Sequence, residues 1–98
     1  MQELMPKEIA AGIPPLYATE DEDDPIARVR LFSLGGWVWL VTEYDPESGE
    51  AFGLVRGFDE EWGYFSIREM EALNRQKGLG VVERDLHFEP KPVSEARR

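Results

Sequence analysis

The 98-residue chain contains no cysteine. This absence excludes disulfide bonds, thiolate metal sites and catalysis by a cysteine nucleophile. Because small secreted domains often depend on disulfides, it also favours a cytoplasmic setting. The first 15 residues include acids and no long apolar core, so we expect no signal peptide. No apolar run approaches the ~20 residues that a membrane span needs.

Basic residues are also scarce. Eleven Lys and Arg oppose 20 Asp and Glu, which gives a formal net charge of −9. This charge repels phosphates and anionic membranes, so we expect neither nucleic acid nor a membrane as partner. A basic protein surface is the favoured partner, and a monomer or weak homodimer is the expected state. With one histidine and no phosphate-binding glycine motif, the sequence predicts no metal and no cofactor, and it favours a non-enzyme.

The hydrophobic pattern predicts one α+β domain over residues 1–98. Helices are predicted at residues 6–11 and, after an N-cap at Ser66, to about residue 76, where Gly78 ends the helix. Strands are predicted at residues 26–34, 37–44, 50–58, 62–65 and 81–88. Short turns between strands indicate a mostly antiparallel sheet of four to five strands, with the main helix packed on one face and a short N-terminal helix. Strand 37–44 is apolar on both faces, which predicts a central position. Residues 93–98 are predicted to form a loose tail.

Two clusters of acidic residues fall in predicted turns. They comprise Glu20, Asp21, Glu22, Asp23, Asp24, and Asp59, Glu60, Glu61. Adjacent like charges repel one another and favour solvated loops. These clusters are therefore candidates for binding a basic partner, although acidic residues also serve solubility alone.

Trp37 and Trp39 would share one face of the central strand. Both residues could belong to the core, or they could form an exposed aromatic surface for a partner. Together with Arg28 and Arg30, an exposed pair would suit base stacking with single-stranded nucleic acid. The net charge opposes that alternative.

Three polar residues alternate along the last predicted strand. Glu83, Asp85 and His87 would share a face, where they could form a metal site or a general-base site of a small enzyme, with Arg84 or Arg56 nearby. A solvated face of mixed charge is the simpler interpretation, because a facial-triad metal site normally has two histidines.

Two further features concern structure. Arg84 would lie on the core face of the last strand, where a structural role is favoured over that of a catalytic arginine. It requires a carboxylate partner or access to solvent, and Glu43 is the candidate partner. We interpret this pair as an ion pair that fixes strand register. Gly53 and Gly57 within strand 50–58 indicate a bulge or close backbone packing.

Five stretches, read in order, resemble a known bacterial family. Residues 14–20, 42–45, 52–57, 63–66 and 83–90 are similar to domain of unknown function 2958, over about residues 4–92. The resemblance implies a small stand-alone bacterial protein, often carried on plasmids, phages or integrated conjugative elements. It supplies no activity and no catalytic residues. It also implies an aromatic residue at the position of His87, which weakens His87 as an essential base.

These observations lead to one main hypothesis and two alternatives. The main hypothesis is a non-enzymatic interaction protein of a mobile element, which binds a basic protein surface as a DNA mimic or anti-defence factor. The alternatives are an enzyme or metal-dependent binder that uses Glu83, Asp85 and His87, and a single-stranded nucleic-acid binder that uses Trp37 and Trp39. The sequence identifies no particular partner.

Overall fold

A five-stranded antiparallel sheet forms the centre of the fold. The computed structural model describes residues 2–98. Its elements are α1 (Lys7–Ala10), β1 (Ile26–Ala27), β2 (Val29–Ser33), β3 (Val38–Asp45), β4 (Glu50–Arg56), β5 (Glu60–Ser66), α2 (Ile67–Lys77), β6 (Val82–Arg84), β7 (Lys91–Pro92) and α3 (Val93–Ala96). The large sheet has the order β5-β4-β3-β2-β6, and β1 pairs with β7 in a small second sheet. The predicted α+β fold is confirmed.

Strand β3 lies in the middle of the large sheet and is covered on both faces. Val41 belongs to a core that includes Ile67 of α2, and we call this side the helix face. Leu40 points the opposite way and packs with Ala27 and Val93, so β1 and α3 cover that side. Successive side chains of a strand alternate between faces, so an apolar run needs two covers. The predicted central position is confirmed.

Helix α2 begins and ends as its sequence predicts. The Ser66 hydroxyl accepts a hydrogen bond from the Glu69 main-chain N–H at 3.1 Å, and Gly78 closes the helix in the left-handed conformation with φ of 72°. Asn74 of α2 is buried, and its side-chain amide exchanges two hydrogen bonds with the main chain of Val82, at 2.8 and 2.9 Å. This amide attaches the edge strand β6 to α2.

The last predicted strand is shorter than expected. Residues 81–88 were expected to be extended, but β6 ends at Arg84. The Asp85 carboxylate accepts a hydrogen bond from the His87 main-chain N–H at 2.9 Å and lies 3.3 Å from the Arg30 guanidinium. Such an aspartate-stabilised turn competes with strand extension and directs the chain away from the sheet.

Two other predictions also need correction. The expected loose tail at residues 93–98 contains α3, in which Val93 is buried and Ser94 binds the Asp24 carboxylate through its N–H at 3.0 Å and its hydroxyl at 2.6 Å. The expected strand at 26–34 is divided into β1 and β2, because residues 26–27 pair with β7 whereas residues 29–32 pair with β3. Within residues 2–98, no helix has the length and apolar character needed to cross a bilayer.

Candidate functional site

A β-bulge in β3 determines on which face of the sheet the Glu43 side chain lies. Val41 lies opposite Gly53 in β4, but the next pair is Glu43 with Phe52, so Thr42 is an extra residue. Because side chains alternate, this residue turns Glu43 away from the helix face and onto the face that carries Phe52. Gly53 is required here, since a Cβ atom would overlap the main-chain carbonyl of Leu40. The close packing predicted for Gly53 is thus confirmed.

The Glu43 carboxylate is buried and supports a nearby turn. Only 2% of Glu43 is exposed. One carboxylate oxygen accepts the Tyr17 main-chain N–H at 2.8 Å, and the other accepts the Thr19 N–H at 2.9 Å and the Thr19 hydroxyl at 2.5 Å. These three donors stabilise the buried charge without a cation. They also hold the turn at Tyr17, whose φ of 75° is rare for a residue other than glycine.

The predicted ion pair between Arg84 and Glu43 is not formed. The Arg84 guanidinium donates instead to the main-chain carbonyls of Glu3 and Leu4, at 2.7 and 3.0 Å. Arg84 is paired with Leu31 and lies on the helix face, as the strand pattern predicts. The bulge moves Glu43 to the opposite face, and Arg84 therefore attaches the N-terminal segment to the sheet edge.

Four aromatic rings, here called the aromatic row, lie beside Glu43. Phe52 is paired with Tyr64, and their ring centroids are 4.8 Å apart. Trp62 stacks on Phe52 at 5.9 Å with an interplanar angle of 20°, and Tyr17 contacts Tyr64 edge-on at 6.3 Å. Trp62, Tyr64 and Tyr17 are 46, 50 and 61% exposed. The row therefore presents a large aromatic surface to solvent.

The aromatic row forms one wall of a cleft of about 600 Å³. Carboxylates of Glu20, Glu22 and Asp23 line the cleft together with Glu43, and none of the described residues that line it is Lys, Arg or His. This volume lies within the range of ligand-binding clefts. Aromatic faces and carboxylates both attract cations, so the arrangement suits a positively charged group.

The Tyr64 hydroxyl remains protonated at physiological pH. Loss of hydration raises the pKa of Tyr64 above its ordinary value, and the neighbouring Tyr17 and the charges of Glu43 and Glu50 raise it further. A neutral phenol keeps a hydrogen-bond donor available in the cleft.

The two predicted acidic clusters have different surroundings. In the first cluster, Glu20, Glu22 and Asp23 reach the cleft, Asp21 is exposed outside it, and Asp24 binds α3. The hydroxyl and N–H of Ser94 hold the pKa of Asp24 below its usual range. The second cluster lies at the β4–β5 turn, away from the cleft lining.

Within the second cluster, Glu60 is already paired. Its carboxylate lies 3.0 Å from the Arg56 guanidinium and also contacts Arg97. Asp59 and Glu61 are exposed. The structure therefore brings only part of the first acidic cluster to the aromatic row, and Arg56 serves the turn rather than a site with Glu83.

The tryptophans predicted as a possible binding surface lie elsewhere. Trp37 and Trp39 are half-buried and stack at 6.2 Å, and the exposed Phe58 contacts Trp37 edge-on at 5.8 Å. Trp39 is paired with Leu31, whereas Arg30 is paired with Leu40. Adjacent residues point to opposite faces, so the tryptophans and Arg30 do not share a surface.

The polar residues of the alternative enzyme site do not converge. Glu83 is an exposed residue of β6, Asp85 stabilises the following turn, and His87 is exposed beyond it. Arg28 lines a separate 140 Å³ cavity with Arg84 and Asp85. Among residues 2–98, no group of three or more histidine and acidic side chains could hold a metal ion. The expected common strand face was wrong because β6 ends early.

Sequence reasoning missed the aromatic row. Its main signal was present in the alternation of Trp62, Gly63 and Tyr64, which places two aromatic rings on one face of a strand. The turn containing Tyr17 gave no such signal, because its position depends on Glu43, a residue 26 positions away in the chain.

The fold and the cleft define a small α+β protein with an acidic, aromatic-lined cleft. A family model described as "Protein of unknown function (DUF2958)" matches residues 5–95. The chain therefore belongs to this family, and the resemblance seen in the sequence is confirmed. No curated protein and no solved structure matches the chain.

Proposed function

We propose that this chain is a non-enzymatic interaction protein that binds a basic segment of another protein in the cleft. The observation that carries the proposal is the composition of the lining, with four aromatic rings, four carboxylates and no basic side chain among the described lining residues. A cation placed over an aromatic ring gains about 0.5–2 kcal/mol. Complementary charge also speeds association and makes it sensitive to salt.

Arginine fits this lining better than lysine. A guanidinium group is planar, so it stacks on exposed rings such as Trp62 and Tyr64 while its edge donates hydrogen bonds. Glu43 already accepts three hydrogen bonds of the roughly four that a carboxylate can take. The exposed acids at positions 20, 22 and 23 are therefore the expected partners of the guanidinium edge.

The cellular setting is part of the same proposal. The net charge of −9 and the sequence resemblance support an accessory protein of a bacterial mobile element that acts in the cytoplasm. Its partner would be a basic DNA-handling protein, such as one of a restriction or other defence system. In this setting the acidic cleft would occupy a basic surface that otherwise contacts phosphates.

Titration with a synthetic peptide tests the binding function. The probe is a nonapeptide of alternating arginine and valine, and its control carries neutral citrulline at each arginine position. We expect the fluorescence anisotropy of a fluorescein-labelled arginine peptide to report binding, with affinity that falls as salt rises, and much weaker binding of the labelled citrulline peptide. Trp62→Leu and Tyr64→Leu should each weaken binding by about 2- to 30-fold.

A pair of charge-matched variants separates the cleft from general acidity. The cleft variant carries Glu20→Gln, Glu22→Gln and Asp23→Asn, and the control variant replaces three other exposed acids by glutamine, at Glu8, Glu83 and Glu89. Both remove three negative charges. We expect the cleft variant to lose at least about tenfold in affinity and the control variant to lose much less. Equal losses, or no binding of the arginine peptide to the native chain, would contradict the proposal.

A further inference from the structure

The outer edge of β5 provides a second element of recognition beside the cleft. We infer that the basic segment binds in extended form and adds to β5 as a sixth strand of the sheet. This inference rests on the proposed function and specifies how the main chain of the partner is held.

Strand β5 is an edge strand with a free side. Among residues 2–98, only β4 pairs with it, and all seven residues of β5 are in register from Glu60 to Ser66. Natural sheets commonly protect an exposed edge with proline, lysine, a bulge or a very short strand. None of these features occurs in β5, whose only charged residues are Glu60 and Glu61 at one end.

The hydrogen-bond pattern identifies the outward groups. Two bonds flank β5, from Gly57 N–H to the Asp59 carbonyl at 2.9 Å and from Ile67 N–H to the Gly49 carbonyl at 2.8 Å. Hydrogen-bonded and non-hydrogen-bonded pairs alternate along an antiparallel ladder. Odd-numbered residues of β5 therefore bond to β4, and the N–H and C=O groups of Trp62 and Tyr64 point outward.

Two residues of the aromatic row also carry the outward main-chain groups. Trp62 and Tyr64 present rings to the cleft and free main-chain groups to the edge. A strand added at the usual spacing of about 4.8 Å would place every second side chain next to these rings. A segment with arginine at alternate positions would thus satisfy the edge and the aromatic row together.

Charge selects the occupant of this edge. A second copy of the chain would bring together two molecules that each carry a net charge of −9. Glu61 at one end of the strand, and the cleft acids beside Tyr64, oppose such an acidic partner. The same negative charges attract a basic segment. The edge of β5 therefore favours pairing with a basic strand and disfavours pairing with a second copy of the chain.

Backbone methylation of the arginine–valine peptide tests strand addition. One peptide is N-methylated at residues 3, 5 and 7 and another at residues 2, 4 and 6, so both carry three N-methyl groups and the same charge. Because alternate N–H groups of an added strand face β5, one peptide should lose at least about tenfold in affinity while the other stays within about threefold of the parent. Equal affinity of the two methylated peptides would overturn strand addition. Failure of the unmethylated peptide to bind would instead refute the proposed function.

A matched pair of protein variants tests the same edge from the other side. Trp62→Ala and Trp62→Pro both remove the ring, but only proline also removes the outward N–H. Proline is tolerated at outward positions of edge strands, and circular dichroism would verify that the fold is retained. We expect Trp62→Pro to bind the peptide about 2- to 10-fold more weakly than Trp62→Ala. Equal affinities, or sedimentation of the native chain as a dimer that peptide does not dissociate, would overturn the inference.

Discussion

Replacement of Glu43 by glutamine tests the role assigned to the bulge in β3. Glu43→Gln preserves the size of the side chain and removes its charge. The native carboxylate offers oxygen atoms to donors on both sides, with Tyr17 on one and Thr19 on the other. An amide has one oxygen, so its NH₂ group must face at least one main-chain N–H.

The magnitude follows from the number of bonds affected. A hydrogen bond to a charged group contributes about 1.5–3 kcal/mol, and at least one is lost while the others become neutral. We therefore expect a loss of about 2–3 kcal/mol in the free energy of unfolding. For a domain of this size, that corresponds to a Tm lower by roughly 10–20 °C.

Thermal and urea unfolding, followed by tryptophan fluorescence, would measure the effect. Glu50→Gln is the matched control, because Glu50 is an exposed glutamate in the neighbouring strand and should change stability by less than about 0.5 kcal/mol. Thr19→Val removes one donor of the same network, so its effect should not add to that of Glu43→Gln. A Glu43→Gln protein as stable as the Glu50→Gln protein would refute the reasoning.

Two more predictions concern paired positions. Gly53→Ala should destabilise the protein by about 1–3 kcal/mol in urea unfolding, because the new Cβ overlaps the Leu40 carbonyl. Gly63→Ala, at the cross-strand partner, should be nearly neutral, because its Cβ meets no atom within 4 Å. Similar effects at both glycines would contradict this account. Asp24, whose pKa is lowered by Ser94, stabilises the fold when ionised, so its contribution is present above the pKa of the unfolded carboxyl and is lost as the pH falls through the lowered value. Ser94→Ala should raise the pKa of Asp24 in an NMR titration, and an unchanged pKa would show that the Ser94 hydroxyl is not a cause.

The sequence predicted correctly those elements that depend on residues close together in the chain. The apolar run of β3 and the residues Ser66 and Gly78 at the ends of α2 indicated the correct element and position, because caps and strand preferences depend on neighbouring residues. Gly53 correctly indicated close backbone packing. The sequence did not show which strand carried the extra residue, and Thr42 has no feature that marks it as a bulge.

The errors came from interactions between distant residues or from turns that compete with strands. Residues 81–88 have a strand-like pattern, but Asp85 stabilises a turn that ends β6. Residues 93–98 have the composition of a tail, yet Ser94 is held by Asp24, which lies 70 positions earlier. Neither outcome follows from local propensity, because tertiary contacts decide it.

The structure divides the acidity of the chain among several roles. Glu43 holds the turn at Tyr17, Asp24 attaches α3, and Glu60 pairs with two arginines, so these carboxylates already have partners. Glu20, Glu22 and Asp23 line the cleft and appear in none of the ion pairs found among residues 2–98. Net charge alone would give every acid equal weight in attracting a basic partner. Under the proposed function, specific recognition depends on the acids beside the aromatic row. Variants matched in charge but different in position therefore discriminate binding in the cleft from attraction to the whole surface.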